Sequence, residues 1–307
     1  MSRVIHVISR KIDFMSFYSI KDLENLSGIK AHTLRIWEQR YDIVSPKRTD
    51  TNIRYYDDRD LKLVLNISLL QEHGHKISKI AGMSPEAMHQ QVLDLTNRSS
   101  SHNDQIQALT IAMIDLDELR FDKIVARCVA QMGFEQTMIQ VVYPFLTKIG
   151  ILWQTGSINP AQEHFITNLI RQKLIVATDS QAADYWDGSK KYMLFLPSGE
   201  LHELSLLFSN FLLRTRRQRV IYLGQNLPFK DAEAVYAVHK PDYIFTVITA
   251  SPGPDEVQAY INSLATSFPQ AMILVSGYQV VSQDILAPGN VVIIRKIQDL
   301  VDFVDEK

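Results

Sequence analysis

Two small groups of aromatic and polar residues have types and spacings that suit a bound cofactor. Trp153 is followed, after nine residues, by Glu163 and His164, and a second group, Glu200 and His202, follows an apolar run. An aromatic ring beside two polar groups suits a ligand with an apolar face and hydroxyl groups. Each group also has an ordinary interpretation. A tryptophan near a helix end packs in many cores, an acid in a first turn complements the helix dipole, and a loop histidine is usually hydrogen-bonded.

The N-terminal segment carries polar and basic residues in an order that suits DNA binding. A capping box begins at Ser19, Gly28 separates two short helices, and the second helix is expected over 31–40. Residues 45–58 predict two short strands joined by a turn at 50–52, which together form a wing. The polar residues of interest on the second helix and the wing are Thr33, Arg35, Arg40, Arg48, Arg54 and Tyr55.

The arginines of this segment have two interpretations. The planar guanidinium group forms paired bonds with phosphates or with the edge of a guanine, which suits DNA contact. Alternatively, these arginines form ordinary surface ion pairs with Glu38, Asp42 and Asp57. Residues 1–98 carry a small excess of basic residues and the remainder an acidic excess, so DNA contact by the N-terminal part is permitted.

Hydrophobic periodicity divides the chain into structural segments. Residues 1–95 are expected to form a winged-helix head, and the small polar residues of 96–104 to form a linker. Residues 105–185 are expected to form a four-helix bundle. Its helices are predicted over 105–116, 119–132, 135–153 and 160–182, with Gly133 as a break.

Residues 186–307 show a pattern of alternating strands and helices. Near-continuous apolar runs at 192–197, 219–224, 243–249, 272–277 and 291–295 predict five buried strands. The expected domain is a Rossmann-like, doubly wound parallel five-stranded sheet, and the chain as a whole is a multidomain α and α/β protein. Ligands of such sheets bind beyond the carboxyl ends of the strands, which points to the loops at 197–202 and 249–253.

Composition and missing motifs exclude several classes of protein. The chain has 307 residues, 46% of them hydrophobic, and a net charge of -2. Cys128 is the single cysteine, so an intrachain disulfide and a cysteine zinc cluster are excluded. A signal-peptide pattern and a membrane-spanning apolar run are lacking, and we expect a cytoplasmic protein without membrane contact. The sequence has no Walker loop, Gly-x-Gly-x-x-Gly run or nucleophile elbow, and we expect no enzymatic activity.

Residues 31–41, AHTLRIWEQRY, followed by the basic wing, resemble the winged-helix head of MerR-type transcription regulators. The Trp-Glu and Arg-Tyr pairs within this run are similar to the subgroup that carries cobalamin-binding sensor domains. The resemblance implies contact with a double-stranded DNA operator through Thr33, Arg35 and Arg40. It also implies contact with DNA phosphates through Arg48, Arg54 and Tyr55.

The remainder of the chain resembles cobalamin-binding modules of methyl-transfer enzymes and some regulators. In those modules the loop after the first strand reads acid-x-His-x-x-Gly, and here Glu200, His202 and Ser205 occupy these positions. The resemblance implies that His202 is the lower ligand of cobalt. Ser205 adds bulk where glycine leaves room for the nucleotide tail of the cofactor. Thr246 occupies the position of the serine in a Ser-x-Leu signature that lines the tail pocket of those modules. Ser276-Gly277 occupies the position of a Gly-Gly pair.

The spacing of Trp153, Glu163 and His164 is similar to that in light-sensing cobalamin repressors of MerR type. The resemblance implies that these residues cover the upper face of the corrin, beside an adenosyl group. We therefore predict a transcription regulator whose operator affinity or oligomeric state is controlled by cobalamin. Adenosylcobalamin is the favoured form, and light is a candidate signal. Two operator half-sites would require a homodimer or a homotetramer.

Two alternatives stay open at this point. The departures at Ser205, Thr246 and Ser276 are compatible with a regulator whose sensor module has lost the cofactor and acts through protein contacts. The chain is also compatible with a cobalamin carrier of a methyltransferase or mutase, although such a carrier has no use for residues 17–75.

Overall fold

The computed structural model describes residues 17–48, 51–98, 101–154, 158–181 and 185–306, with side chains for all of these except 97–98 and 151–154. The chain divides into two compact units, Met1–Ile166 and Thr167–Lys307. Among the helices within these ranges, none combines the length and the apolar character needed to cross a membrane.

The N-terminal unit begins with the predicted winged helix-turn-helix. Its elements are α1 (Ile20–Ser27), α2 (Ala31–Tyr41), β1 (Lys47–Arg48), β2 (Arg54–Tyr55) and α3 (Asp58–Glu72). A capping box between Ser19 and Asp22 starts α1, and Gly28 ends it with φ 75°, a left-handed conformation that glycine adopts at low cost. β1 and β2 pair antiparallel, and a bridge joins Tyr18 to Tyr56 beside them.

Three further helices follow α3, namely α4 (Ile77–Ile80), α5 (Pro85–Arg98) and α6 (His102–Ile114). The structure differs here from the linker predicted over 96–104, because α5 and α6 extend into that segment. The carbonyl of Thr96 accepts a hydrogen bond from Arg127 Nη1 at 2.9 Å, and Asp104 lies 2.9 Å from the ring of His73. Polar residues that suggested a linker are therefore used in contacts between helices.

The remaining bundle helices are α7 (Glu118–Thr137), α8 (Tyr143–Gln154) and α9 (Pro160–Asp179). Gly133 has φ 80° and ψ 164°, so the expected break is present as a kink within α7. A π-helical segment, Met138–Val142, joins α7 directly to α8, which the hydrophobic periodicity does not predict. The division between the two units falls within α9.

The C-terminal unit contains the predicted parallel sheet. Its strands are β3 (Lys191–Pro197), β4 (Arg219–Leu227), β5 (Tyr243–Val247), β6 (Met272–Ser276) and β7 (Val291–Ile293). Its further helices are α10 (Leu204–Thr215), α11 (Phe229–His239), α12 (Val257–Ser267), α13 (Tyr278–Val281) and α14 (Ile297–Asp305). The strand order is β4-β3-β5-β6-β7 with every pair parallel, which confirms the predicted fold class.

The sheet has one point where its strand order reverses. This point lies between β3 and β5, so the loops that follow these strands meet at the carboxyl edge, where such folds bind ligands. Below the edge, Met193, Phe195, Ile244 and Ile273 are buried in one apolar cluster with Ile261 of α12. Burial of a side chain of this size contributes about 1.5–3 kcal/mol, so the two loops rest on a well-packed core.

Candidate functional site

A buried carboxylate joins the two loops at this edge. The side chain of Glu200, in the loop after β3, is fully buried. Its Oε1 accepts hydrogen bonds from the backbone N–H groups of Leu201 and His202, both at 3.0 Å, and from His202 Nδ1 at 2.5 Å. Its Oε2 accepts from the N–H groups of three successive residues, 249–251, at 2.7, 2.7 and 3.2 Å. Six N–H groups therefore surround one charge.

These donors keep Glu200 ionised. Burial by itself raises the pKa of this carboxyl group. The hydrogen bonds from the His202 ring and from the N–H groups of Ala250, His202 and Thr249 outweigh burial, and they lower the pKa to about 2. The carboxylate is thus charged at neutral pH and takes up a proton only in strong acid.

Glu200 also fixes the orientation of His202. Because Nδ1 is bonded to Glu200, a metal would be bound through Nε2, and the side chain is 61% exposed. Histidine ligands of metals usually donate their second ring nitrogen to a carboxylate in this way. Among the described residues no three His, Cys, Asp or Glu side chains form a metal site. A metal bound by His202 would therefore not be held by such a group of described side chains.

Further contacts hold the two loops in place. Asn226, at the end of β4, accepts a bond from the Gly199 N–H group through Oδ1 at 2.8 Å, and its own N–H donates to the Glu200 carbonyl at 3.2 Å. Ser251 Oγ donates to the carbonyl of Ser198 at 3.0 Å. Asn226 does not stand out in the sequence, where its one signal is a position just beyond a predicted strand.

Thr246, in β5, and Gly277, directly after β6, lie near the same edge of the sheet. Thr246 in β5 is fully buried, and within the described part of the chain its Oγ1 has no hydrogen-bond partner. An unsatisfied buried hydroxyl costs about 1–3 kcal/mol, so a polar ligand atom at this point would be stabilising. Gly277 has φ 107°, and a Cβ there would lie 2.3 Å from the carbonyl oxygen of Ile248. Glycine is therefore required at that position.

The two serines that replace expected glycines have different surroundings. Ser276 Oγ donates a hydrogen bond to the carbonyl of Ile294 at 2.8 Å, so this hydroxyl already has a partner within the C-terminal unit. Ser205 lies in the first turn of α10 and is partly exposed. The serines therefore do not satisfy the hydroxyl of Thr246.

Glu163 and His164 lie at the start of α9. Glu163 Oε2 is 2.7 Å from His164 Nδ1, and the two side chains are 29% and 72% exposed. Asn159 precedes the helix, and its Oδ1 accepts from the Ala161 N–H group at 2.8 Å. The backbone of Trp153 belongs to the last turn of α8, while its side chain lies outside the described residues. A cofactor role for these residues stays a prediction.

The head exposes the basic residues that the sequence predicts for DNA contact. The exposed side chains are Arg35, Arg40, Arg48 and Arg54, and the partly exposed ones are Thr33 and Tyr55. Arg48 and Arg54 are opposite each other in the β1–β2 pair. Arg48 Nη1 donates to Asn52 Oδ1 at 2.7 Å, and the ring of Tyr55 meets that of Phe17 edge-on with centroids 4.8 Å apart.

The carboxylates proposed as alternative partners of these arginines are engaged elsewhere. Asp57 caps α3 and forms an ion pair with Lys47. Glu38 accepts a hydrogen bond from the hydroxyl of Tyr56. Asp42 accepts from a serine hydroxyl three residues later, at 3.1 Å. Among the described residues, none of these three carboxylates forms an ion pair with the four exposed arginines of the head.

Comparison with protein families covers two parts of the chain. Residues 18–86 match the MerR HTH family regulatory protein family, and residues 105–177 match the B12 binding domain family. The first match contains the helix-turn-helix and the wing. The second contains most of the four bundle helices.

Two curated relatives are similar to most of the chain. The HTH-type transcriptional repressor CarH of Myxococcus xanthus is 26% identical over 261 residues, which cover 83% of this chain and 86% of CarH. The HTH-type transcriptional repressor CarA of the same organism is 24% identical over 261 residues, covering 84% of this chain and 85% of CarA. The HTH-type transcriptional regulator MlrA of Escherichia coli (strain K12) is 33% identical over 66 residues, covering 22% of this chain and 27% of MlrA.

Among solved structures, the monomethylamine corrinoid protein of Methanosarcina barkeri is similar with a TM-score of 0.55 and 11% identity. The likeness covers 67% of this chain and 99% of that protein, and at this identity it shows a shared fold. The chain thus combines a MerR-type helix-turn-helix domain with a B12-binding domain in one polypeptide.

Proposed function

We propose that this protein is a transcription regulator whose operator affinity or oligomeric state is controlled by adenosylcobalamin, with light as the signal that alters the bound form. The observation that carries the proposal is the pair Glu200 and His202. A buried, ionised carboxylate orients a largely exposed histidine at the ligand-binding edge of the sheet.

His202 is proposed to bind cobalt through Nε2. When bound, cobalamin would supply a cobalt ion that can bind an imidazole nitrogen and an exchangeable second ligand. Glu200 holds the proton at Nδ1, which leaves Nε2 as the basic atom and raises its ligand strength. Because the pKa of Glu200 is lowered to about 2, this orientation persists throughout the neutral range.

Thr246 is proposed to donate its hydroxyl to the nucleotide tail of the cofactor. Support comes from the burial of this hydroxyl without a partner among the described residues. Gly277 allows the backbone after β6 to approach Ile248 closely. A sensor module that had lost its cofactor would gain stability by satisfying or replacing the Thr246 hydroxyl, so its retention favours cofactor binding.

Trp153, Glu163 and His164 are proposed to contact the adenosyl group of the cofactor. Their spacing in the sequence supports this, and so does the exposure of the Glu163–His164 pair at the start of α9. A ring and two polar groups suit the sugar of an adenosyl group.

The head is proposed to bind a double-stranded operator. Thr33, Arg35 and Arg40 of α2 would contact bases, because a recognition helix presents its outer residues to the major groove. Arg48, Arg54 and Tyr55 of the wing would contact phosphates. A symmetric operator with two half-sites would need a homodimer or a homotetramer.

An absorption experiment tests the cofactor part of the proposal. The full chain is mixed with adenosylcobalamin in the dark and desalted. We expect the wild type to keep a visible corrin spectrum and His202→Ala to lose most of it. His239→Ala, a substitution at the end of α11, is the matched control and should retain the spectrum. A wild-type protein that is colourless after desalting would overturn the proposal.

A cobalamin carrier for methyl transfer is the second candidate, favoured by the likeness of fold to a corrinoid protein. Binding to operator DNA distinguishes the two functions, because a carrier does not need it. Failure of the full chain to bind any DNA selected from a random pool, at a stated salt concentration, would favour the carrier.

A further inference from the structure

A cavity that is remote in sequence from the Glu200 loop lies in the N-terminal unit. It has a volume of about 300 Å³ and lies between α5 and the first half of α7. Its polar lining includes three cationic side chains, Arg120, Lys123 and Arg127. Leu93 and Leu119 contribute apolar surface. The cavity thus offers cationic and apolar contacts together, and its volume suits a small ligand.

Arg120, one of the lining residues, has unused hydrogen-bonding capacity. Its Nη2 is buried, and among the described residues it has no hydrogen-bond partner. Burial lowers the pKa of the Arg120 guanidinium, and the charges of Asp115 and Asp117 act in the opposite direction. A guanidinium nitrogen that is buried and unpartnered is costly, so an acceptor at this position would be strongly favoured.

Two carboxylates, those of Asp115 and Asp117, also line the cavity, but neither accepts a hydrogen bond from Arg120 Nη2. Asp115 Oδ1 forms an ion pair with Lys62 Nζ at 2.7 Å, and Asp117 Oδ1 accepts from the backbone N–H of Arg120 at 2.9 Å as the cap of α7. Positive charge therefore exceeds negative charge around the lining. Arg127 Nη1 is bonded to the Thr96 carbonyl at 2.9 Å, which places a second guanidinium group at the same wall.

We propose that this cavity binds a small oxyanion, either a carboxylate or a phosphate ester, whose oxygens accept hydrogen bonds from Arg120 and Lys123. Arginine suits the task because its planar fork bonds two oxygens of such a group at once. The apolar lining would accommodate a short carbon chain. The bound ligand would touch both α5, which follows the helix-turn-helix domain, and α7 of the B12-binding domain, and would stabilise their packing.

Titration of the full chain tests this assignment. Inorganic phosphate and glutarate are added separately at constant ionic strength, with chloride as the reference salt, and binding is followed by calorimetry. The two arms distinguish phosphate from carboxylate as the preferred group. We expect saturable binding of at least one of them, weakened about tenfold or more in Arg120→Gln. Arg295→Gln, at an exposed position in the other unit, is the matched control and should bind as the wild type does.

Lys123→Gln provides a second variant at an exposed position, and it should weaken the same binding even if Arg120→Gln is poorly folded. The assignment is overturned if neither anion binds the wild type beyond the chloride reference, or if both cavity variants bind as tightly as Arg295→Gln. It is also overturned if the cavity variants weaken operator binding in anion-free buffer by the same factor, since the lining would then be a DNA phosphate contact.

Discussion

Glu200 determines the geometry of the candidate cofactor site. Its carboxylate accepts bonds from its own loop and from the loop after β5, so a single residue joins both sides of the switch point. Because His202 is two residues after Glu200, the Oε1 atom of Glu200 accepts hydrogen bonds from both the backbone N–H group and the ring of that histidine. This explains physically why an acid two positions before a histidine is useful at the edge of a sheet. Sequence patterns predict the pair, but the donors at 249–251 become partners only through the fold.

Glu200 should make stability sensitive to acid. Its pKa is lowered from 4.5 to about 2 on folding, so its contribution is complete above pH 4.5 and is lost as the pH falls towards 2. By linkage, roughly 2 kcal/mol of unfolding free energy should be lost between pH 7 and pH 3. Urea unfolding should show this loss in the wild type and not in Glu200→Gln, which is less stable at pH 7. Glu256→Gln, at an exposed position, should follow the wild type, and parallel pH profiles for all three proteins would contradict the account.

Thr246→Val should separate stability from cofactor binding. Valine keeps the shape of threonine but removes a buried hydroxyl that lacks a partner among the described residues, so we expect the free protein to be stabilised by about 1 kcal/mol. Cobalamin binding should weaken about tenfold, because the proposed bond to the tail is lost. Thermal unfolding and absorption titration measure the two effects.

Thr178→Val is the matched control for this prediction. The Thr178 hydroxyl is buried and donates to the Leu174 carbonyl at 2.7 Å, so its loss should not stabilise the protein and should leave cobalamin affinity unchanged. Unchanged cobalamin affinity in Thr246→Val would remove Thr246 from the site.

Some of the helices and strands can be predicted from local sequence patterns, and others cannot. Buried strands of a parallel sheet are nearly continuous apolar runs, and the five runs correspond to β3–β7. Gly133 marks a real kink because glycine alone reaches its φ and ψ at low cost. The π-helical segment and the helical ends within 96–104 depend on tertiary contacts such as that between Arg127 and Thr96, which local periodicity does not encode.

Helix α2 and the wing should contribute differently to operator binding. Arg35→Gln on α2 should weaken binding about tenfold and relax the preference for one base pair. Arg54→Gln on β2 should weaken binding to all DNA sequences. The slope of the logarithm of affinity against the logarithm of salt concentration should fall by about one, as expected for the loss of one phosphate contact. Arg295→Gln serves as the control in the other unit. Fluorescence anisotropy over a salt series distinguishes these outcomes, and identical effects of the two head variants would contradict the division of roles.

At the scale of the whole molecule, one chain carries a domain of a DNA-binding family and a domain of a B12-binding family. The head offers exposed guanidinium groups, and the C-terminal unit offers an oriented histidine with a buried hydroxyl nearby in the same sheet. In the proposed regulator, binding of the cofactor at the C-terminal unit changes the affinity of the head for DNA. A ligand shifts an equilibrium between two conformations only by the difference in its binding free energy for them. The cofactor must therefore bind with unequal affinity to the conformation that binds DNA and to the one that does not.

The most direct test of this coupling is the operator affinity of the full chain with and without adenosylcobalamin. DNA selected by the protein from a random-sequence pool serves as the operator, and affinity is measured by anisotropy at fixed salt, in the dark and after illumination. We predict that the cofactor changes the dissociation constant about tenfold or more in the dark. Light should reverse the change, and His202→Ala should abolish it. Equal affinity of the wild type with and without adenosylcobalamin would contradict the account.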